Sequence, residues 1–93
     1  MGHTPYGYRI ENGIAVINEA EAECVRQIFD HYISGKSLTE AAKAAGHPVV
    51  HSSVKCMLRR ACYCGDDFYP PIIDRAVFQK ANSELKLRAA NKN

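Results

Sequence analysis

The sequence predicts a mainly α-helical domain: a small helical fold with a helix-turn-helix-like core and a short antiparallel β-hairpin. Three observations favour this fold. Apolar residues recur at helical spacing in four segments, a Ser-x-x-Glu capping box opens one of them at Ser37, and Asn12-Gly13 separates two β-favouring runs. Since 93 residues are enough for one thin core and not for two, residues 1–93 are expected to form a single domain.

The chain opens with the predicted hairpin. Its strands are Tyr6–Ile10 and Ile14–Ile17, and Asn12-Gly13 supplies the two positive φ angles of a tight turn. An isolated hairpin is marginally stable in water, so this one is expected to pack on another element.

The first helix is predicted from Asn18 to Ser34, before Gly35. Asn18 is a suitable cap, and Glu21 stands where it would complete a capping box. One face of this helix is apolar and is expected to enter the core: Ala22, Val25, Ile28, Phe29 and Tyr32.

The second helix follows the capping box of Ser37 and Glu40 and is expected to end at Gly46 and Pro48. Its inner stripe is made of Leu38 and small residues, which let another helix approach closely: Ala41, Ala42 and Ala45.

The third helix is predicted to begin at Ser52 or Ser53. At about 100° per residue, its buried stripe is Val54, Met57, Leu58 and Ala61. The opposite arc is polar and basic and holds Ser53, Lys55, Cys56, Arg59 and Arg60.

The last third of the chain predicts a short extended segment, Asp67–Tyr69, which would add a strand to the hairpin, and a fourth helix capped by Asp74. The buried stripe of the fourth helix is Val77, Phe78, Ala81 and Leu85. Residues 87–93 are polar and basic and are expected to fray.

Charge is unevenly distributed along the chain. The net charge is only +2, but residues 1–50 carry four Lys or Arg against six Asp or Glu, whereas residues 51–93 carry eight against four. A basic second half suits a phosphate-bearing partner, although a merely solvated basic face would show the same excess.

The composition points away from membranes and cofactors. There is no apolar run of the roughly 20 residues that a membrane span needs and no secretory signal pattern, so a cytoplasmic location is expected. The spacing of Cys62-x-Cys64 is shorter than zinc knuckles use. We therefore expect free thiols and no cofactor or metal; a zinc-stabilised scaffold with His47, His51 and Cys56 is the alternative.

The second and third helices together are typical of a helix-turn-helix, in which the second helix enters the major groove of DNA. Guanidinium groups pair bidentately with guanine or phosphate, and Ser52 and Ser53 at a helix N-terminus suit a phosphate. His51 is a further candidate for a phosphate contact. Residues 46–51 make a longer turn than the tight form of the motif, and an all-helical scaffold with a basic face remains the alternative.

Short motifs follow one another along nearly the whole chain. They are Pro5-Tyr6-Gly7-Tyr8, Ile14–Asn18, Glu21–Phe29, Tyr32–Leu38, Ala41-Ala42, Val54–Arg60, Tyr63-x-Gly65-Asp66, Pro71–Asp74 and Phe78. This ordered set resembles the DNA-binding recombinase domain of large serine recombinases, the site-specific integrase family. The sequence departs from that family between Ala45 and Val54, where it is shorter, and at Arg60, where Asn is common.

The resemblance implies a double-stranded DNA partner, a link to DNA recombination and mobile elements, and no enzymatic activity, because the catalytic serine domain of that family is not represented in these 93 residues. The implied contact residues are on or next to the third helix: His51, Ser52, Ser53, Lys55, Arg59 and Arg60. The alternative is a protein-interaction or accessory module that binds a recombinase or itself. Lys80, Lys86 and Arg88 are basic but lie outside the predicted reading helix.

Overall fold

The computed structural model describes residues 4–47 and 51–90, with the backbone alone for His51 and Ser52. Within these residues the elements run in the order β1 Tyr8–Glu11, β2 Ile14–Ile17, α1 Glu19–Ile33, α2 Leu38–Ala44, α3 His51–Leu58, a 3-10 helix Ala61–Cys64, and α4 Arg75–Ala90. The predicted mainly helical fold with a two-stranded antiparallel hairpin is confirmed.

The hairpin forms where the turn residues predict it. Tyr8 pairs with Ile17 and Glu11 pairs with Ile14. Asn12 (φ 53°) and Gly13 (φ 75°) both adopt positive φ, the combination that a two-residue turn matching the twist of the strands requires.

The start of α1 is fastened to the residue before the hairpin. The Asn18 side chain caps α1 by accepting from the Glu21 N–H at 3.2 Å, as predicted. The predicted capping box is wrong, because the Glu21 carboxylate accepts from the Gly7 N–H at 2.9 Å and the Asn18 N–H donates to the Gly7 carbonyl at 2.9 Å. The Glu21 carboxylate and the Asn18 N–H, which would have paired with each other in a capping box, instead both bind Gly7.

The core lies between α1 and the other helices. The predicted apolar face of α1 is fully buried, and Ala41 and Ala42 of α2 are fully buried in the same core. Tyr63 of the 3-10 helix is also fully buried, whereas Ala61, which we predicted to be buried, is exposed. The reason is that α3 ends at Leu58 and the chain turns before Ala61, so the helical spacing does not extend to it.

The predicted third strand is wrong. Asp67–Tyr69 is a series of bends, because the Asp66 carboxylate accepts from the N–H groups of Phe68 at 2.8 Å and Tyr69 at 2.7 Å. Short Asp side chains compete with strand pairing in this way. Asp66 therefore has a structural role in this segment.

Helix α4 continues to Ala90, so residues 87–90 are helical and not frayed; residues 91–93 lie outside the described part of the chain. Arg88 explains this. Its guanidinium donates to the Tyr32 carbonyl at 3.0 Å and the Lys36 carbonyl at 2.9 Å, and lies 4.0 Å from the centre of the Tyr32 ring. No described helix is both long and apolar enough to span a membrane.

Candidate nucleic-acid interface

Helix α3 presents its polar arc to solvent because its apolar residues are fixed in the core. Val54 and Leu58 are fully buried and Met57 is 6% exposed. Ser53, Lys55 and Cys56, on the remaining arc, are exposed. The predicted orientation of this helix is confirmed for its described side chains.

The two arginines that follow α3 do not occupy equivalent positions. The Arg59 N–H donates to the carbonyls of Lys55 and Cys56, both at 3.2 Å, so Arg59 still belongs to the last turn. Arg60 leaves the helix: its backbone is extended (φ −81°, ψ 102°) and it precedes the 3-10 helix. Arg59 therefore shares the surface of α3, whereas Arg60 projects from the connection that follows it.

The connection from α2 to α3 is described as far as His47. Gly46 adopts a φ of 81°, the His47 N–H donates to the Ala42 carbonyl at 2.9 Å, and the His47 ring stacks on Tyr6 with 4.1 Å between ring centres. Pro48, which we predicted to help end the second helix, and the rest of the turn up to residue 50 lie outside the described residues.

The backbone of α3 begins at His51, one residue before the earlier of the two predicted starts. The side chains of His51 and Ser52, both candidate contact residues, lie outside the described part of the structure. Their role in binding remains a prediction.

Helix α4 lies beside α3 and forms a groove of about 320 Å³ with it. The groove is lined by two residues of the α3 surface and four of α4: Lys55, Arg59, Asn82, Leu85, Lys86 and Ala89. The Asn82 side-chain amide donates to the Leu58 carbonyl at 2.8 Å and to the Phe78 carbonyl at 2.9 Å. The C-terminal end of α3 is thereby fastened to α4, which fixes the width of the groove.

The charged residues that line the groove are all positive. Three of its six lining residues are cationic and none is acidic. Among the described residues, the ion pairs engage Arg9, Arg26 and Arg88, and no ion pair engages the three cations of the groove. Residues 51–64 also contain no Asp or Glu, so the positive field of α3 is not neutralised from its own segment.

Sequence reasoning missed the contribution of α4 to this surface. Lys86 lines the groove, Arg88 is held internally by Glu84, Tyr32 and Lys36, and Lys80 lies elsewhere on the exposed side of α4. The three cations that we grouped together are therefore in three different environments. The spacing Asn82, Lys86, Ala89 along one edge of a helix was the signal that could have identified the groove-facing residue.

The four cysteines are all free thiols in the described structure. Burial is the main cause that raises the pKa values of Cys62 and Cys64, and the Cys24 thiol donates to the Ala45 carbonyl at 3.2 Å. Among the described residues, no cluster of three or more His, Cys, Asp or Glu side chains has the arrangement of a metal site. Cys56 differs from the others because it is exposed, in the middle of the outer arc of α3.

A family model described as Recombinase matches residues 19–88. A solved structure described as "Crystal Structure of a LSR-DNA Complex" is similar to this chain with a TM-score of 0.83 and 23% identity, over 100% of this chain and 35% of that one. Another, from "Sequence Requirements of the Listeria innocua prophage attP site", has a TM-score of 0.80 and 24% identity over 95% of this chain and 44% of that one. This chain thus spans less than half of each, and the likeness shows a shared fold. No curated protein matches the chain.

Proposed function

We propose that this chain, which belongs to the Recombinase family, is a DNA-binding module of the serine site-specific recombinase type that does not itself catalyse strand exchange. The observation that carries the proposal is the surface of α3. It is exposed, rich in cations and free of acids, and the core holds it in one orientation through Val54 and Leu58. A rigid basic helix of this kind is a suitable probe for the major groove.

Structures of similar fold support the same partner. One of them is described as a complex of a large serine recombinase with DNA, and the other concerns a prophage attachment site. We extend double-stranded DNA binding from those proteins to this chain because the fold is shared along its whole length, including the α3 segment.

The candidate contacts have different expected roles. Ser53, Lys55 and Arg59 lie on or directly after α3 and face solvent, so they can reach base edges or phosphates. Arg60 projects beyond the helix and suits a backbone phosphate. His51 and Ser52 belong to the first turn of α3, where free N–H groups and the helix dipole favour a phosphate.

The proposed module is non-catalytic because phosphoryl transfer needs an activated nucleophile surrounded by groups that stabilise charge. Two described serines already have structural partners: Ser37 caps α2, and the Ser34 hydroxyl donates to the His31 carbonyl at 2.8 Å. Incubation with supercoiled plasmid should leave the DNA intact and free of covalently attached protein. A protein–DNA adduct through any serine would disprove this part of the proposal.

Fluorescence anisotropy with a labelled duplex tests binding. A single module buries about 600–1,000 Å² on DNA, so we expect weak binding, with a Kd of about 10⁻⁴–10⁻⁶ M at physiological salt. The double variant Arg59→Ala with Arg60→Ala should bind more weakly. The matched control, Arg9→Ala with Lys80→Ala, removes the same charge from the exposed hairpin and from α4 and should retain wild-type affinity.

Three other outcomes of the anisotropy titrations would contradict the proposal. Equal losses in the two double variants would indicate attraction by diffuse charge and remove α3 as the reader. A full-affinity Arg59, Arg60 variant would have the same consequence for α3. Absence of wild-type binding to any duplex would overturn the proposal and favour the protein-interaction alternative.

A further inference from the structure

We infer that the groove between α3 and α4 holds a phosphate of the DNA backbone, and that Lys86 of α4 is a contact residue beside Lys55 and Arg59. The inference rests on the proposed function, because it assigns part of the DNA contact to a helix outside the helix-turn-helix. The ligand class is a phosphodiester of double-stranded DNA.

Cations from both helices line the groove. Lys55 and Arg59 are one turn apart on α3, and both line the groove. Lys86 reaches the same groove from α4. Three positive side chains from α3 and α4 therefore surround one concave space, and Lys55 and Lys86 are 31 residues apart in sequence.

The groove is positively charged and has no acidic lining residue. Like charges that converge without an acidic partner repel one another, and an anion placed among them removes that repulsion. Leu85 and Ala89 form an apolar wall, and clefts with low-dielectric walls concentrate the field of their charges. Since the adjoining outer face of α3 is proposed to lie on DNA, the nearest available anion is a phosphate of that same duplex.

The geometry of α4 singles out Lys86. Lys80 lies six residues earlier, which places it about 120° around the helix from Lys86. Arg88 is already bonded to Glu84, Tyr32 and Lys36. Arg88 lines a neighbouring pocket with Lys55, but its guanidinium is engaged by these partners. Of these three cations of α4, Lys86 is therefore the one that lines the groove with Lys55 and Arg59.

The groove also divides the surface of α3. Lys55 and Arg59 occupy the flank that faces α4 and are assigned to the phosphate. Ser53 is two residues from Lys55, which places it about 160° away around the helix, and Cys56 lies between Ser53 and Arg59 on the outer arc. Ser53 and Cys56 are thus left to face base edges, and Lys55 and Arg59 position the module without reading sequence.

The salt dependence of binding tests this assignment. Each phosphate contact contributes about −0.9 to the slope of log K against log salt concentration on B-DNA. We expect Lys86→Ala to make the slope shallower by about 0.9, measured by anisotropy on a mixed-sequence duplex of about two helical turns. The matched control Lys80→Ala removes one positive charge from the same helix and should retain the wild-type slope, and Lys86→Arg should restore it.

The outcomes separate this inference from the proposed function. Wild-type binding that weakens in the Arg59, Arg60 variant, together with identical slopes for Lys86→Ala and Lys80→Ala, would overturn the groove contact and leave DNA binding by α3 intact. Failure of the wild-type chain to bind any duplex would overturn both. Circular dichroism of Lys86→Ala should match wild type because Lys86 is exposed and belongs to no described internal contact.

Discussion

Two tyrosine hydroxyls hold the hairpin to the rest of the molecule. The Tyr8 hydroxyl lies within hydrogen-bond distance of two carbonyls and can donate to either, that of Cys62 at 2.9 Å or that of Pro70 at 2.6 Å. The Tyr63 hydroxyl donates to the Tyr6 carbonyl at 2.6 Å. Both rings are buried. The hairpin depends on these contacts because two strands alone bury too little to be stable.

Replacing Tyr8 with Phe should therefore destabilise the protein while leaving the ring packing unchanged. The carbonyls of Cys62 and Pro70 would lose their donor, and leaving such groups unsatisfied costs about 1–3 kcal/mol. Urea unfolding followed by circular dichroism measures the loss. Tyr69→Phe is the control: this ring packs 4.8 Å from that of Tyr8, and among the described contacts its hydroxyl has no recorded partner. Equal unfolding midpoints for the two variants would contradict the expectation.

At the scale of elements, helix α4 holds two other helices in position. Helices α2 and α3 have seven and eight residues, too few to be stable in isolation. Helix α4 is the longest, with 16 residues, and holds the end of α3 through Asn82 and the end of α1 through Arg88. The orientation of the proposed reading helix thus depends on a helix that follows it in the chain.

The Arg88 contacts predict an effect on stability that the neighbouring Lys86 does not share. Arg88→Ala removes hydrogen bonds to two carbonyls and the stacking on Tyr32, so we expect a loss of about 1.5–3 kcal/mol. Arg88→Lys should rescue little, because an ammonium cannot reproduce the planar fork. Lys86→Ala should stay within about 0.5 kcal/mol of wild type. Thermal unfolding checks all three variants, and a wild-type Tm for Arg88→Ala would show that the guanidinium contributes nothing.

Local sequence signals predicted the elements correctly where each residue's partner in the structure is close to it in sequence. The Asn12-Gly13 turn, the Asn18 and Ser37 caps and the apolar face of α1 all follow from residues within a few positions of one another. The predicted capping box of Glu21 was wrong because its carboxylate instead accepts from the Gly7 N–H, 14 residues away. The residues after Lys86 were expected to fray because nothing in the sequence indicates that Arg88 reaches Tyr32, 56 residues earlier.

The same limit applied to the candidate surface. The exposed arc of α3 was predictable from its own periodicity, and Ser53, Lys55 and Arg59 lie where that periodicity places them. The groove with α4 was not predictable, because it exists only where two elements distant in sequence pack side by side. Arg60 is the intermediate case: it follows the helical spacing in sequence, but the chain leaves the helix before it.

For the molecule as a whole, buried and half-buried tyrosines make stability depend on pH in the alkaline range. Burial, as the main cause, raises the pKa of Tyr6 to about 12, and burial also raises the pKa values of Tyr8 and Tyr63. A tyrosine in an unfolded chain has a pKa of about 10. Above that pH the unfolded chain releases phenolic protons that the folded chain retains, so the unfolded state is favoured.

Stability should therefore be insensitive to these groups below about pH 10 and should fall progressively between about pH 10 and 12. Urea midpoints measured across this range, with tyrosinate absorbance followed in parallel, give the test. A midpoint that does not change while the absorbance rises would mean that the tyrosines ionise without unfolding and would contradict the coupling.

The hydroxyl contacts of Tyr8 and Tyr63 also bear on the order in which the molecule assembles. They join residues 54, 57 and 62 positions apart. The entropy cost of closing such long loops arises before these contacts can stabilise the chain. The packing of α1 on α2 involves neighbours in sequence and needs no such closure. We therefore expect docking of the hairpin to come after the folding transition state, so that Tyr8→Phe accelerates unfolding and leaves the folding rate almost unchanged. Stopped-flow rates over a range of urea concentrations would show this, and the hairpin contacts would then determine how long each folded molecule survives.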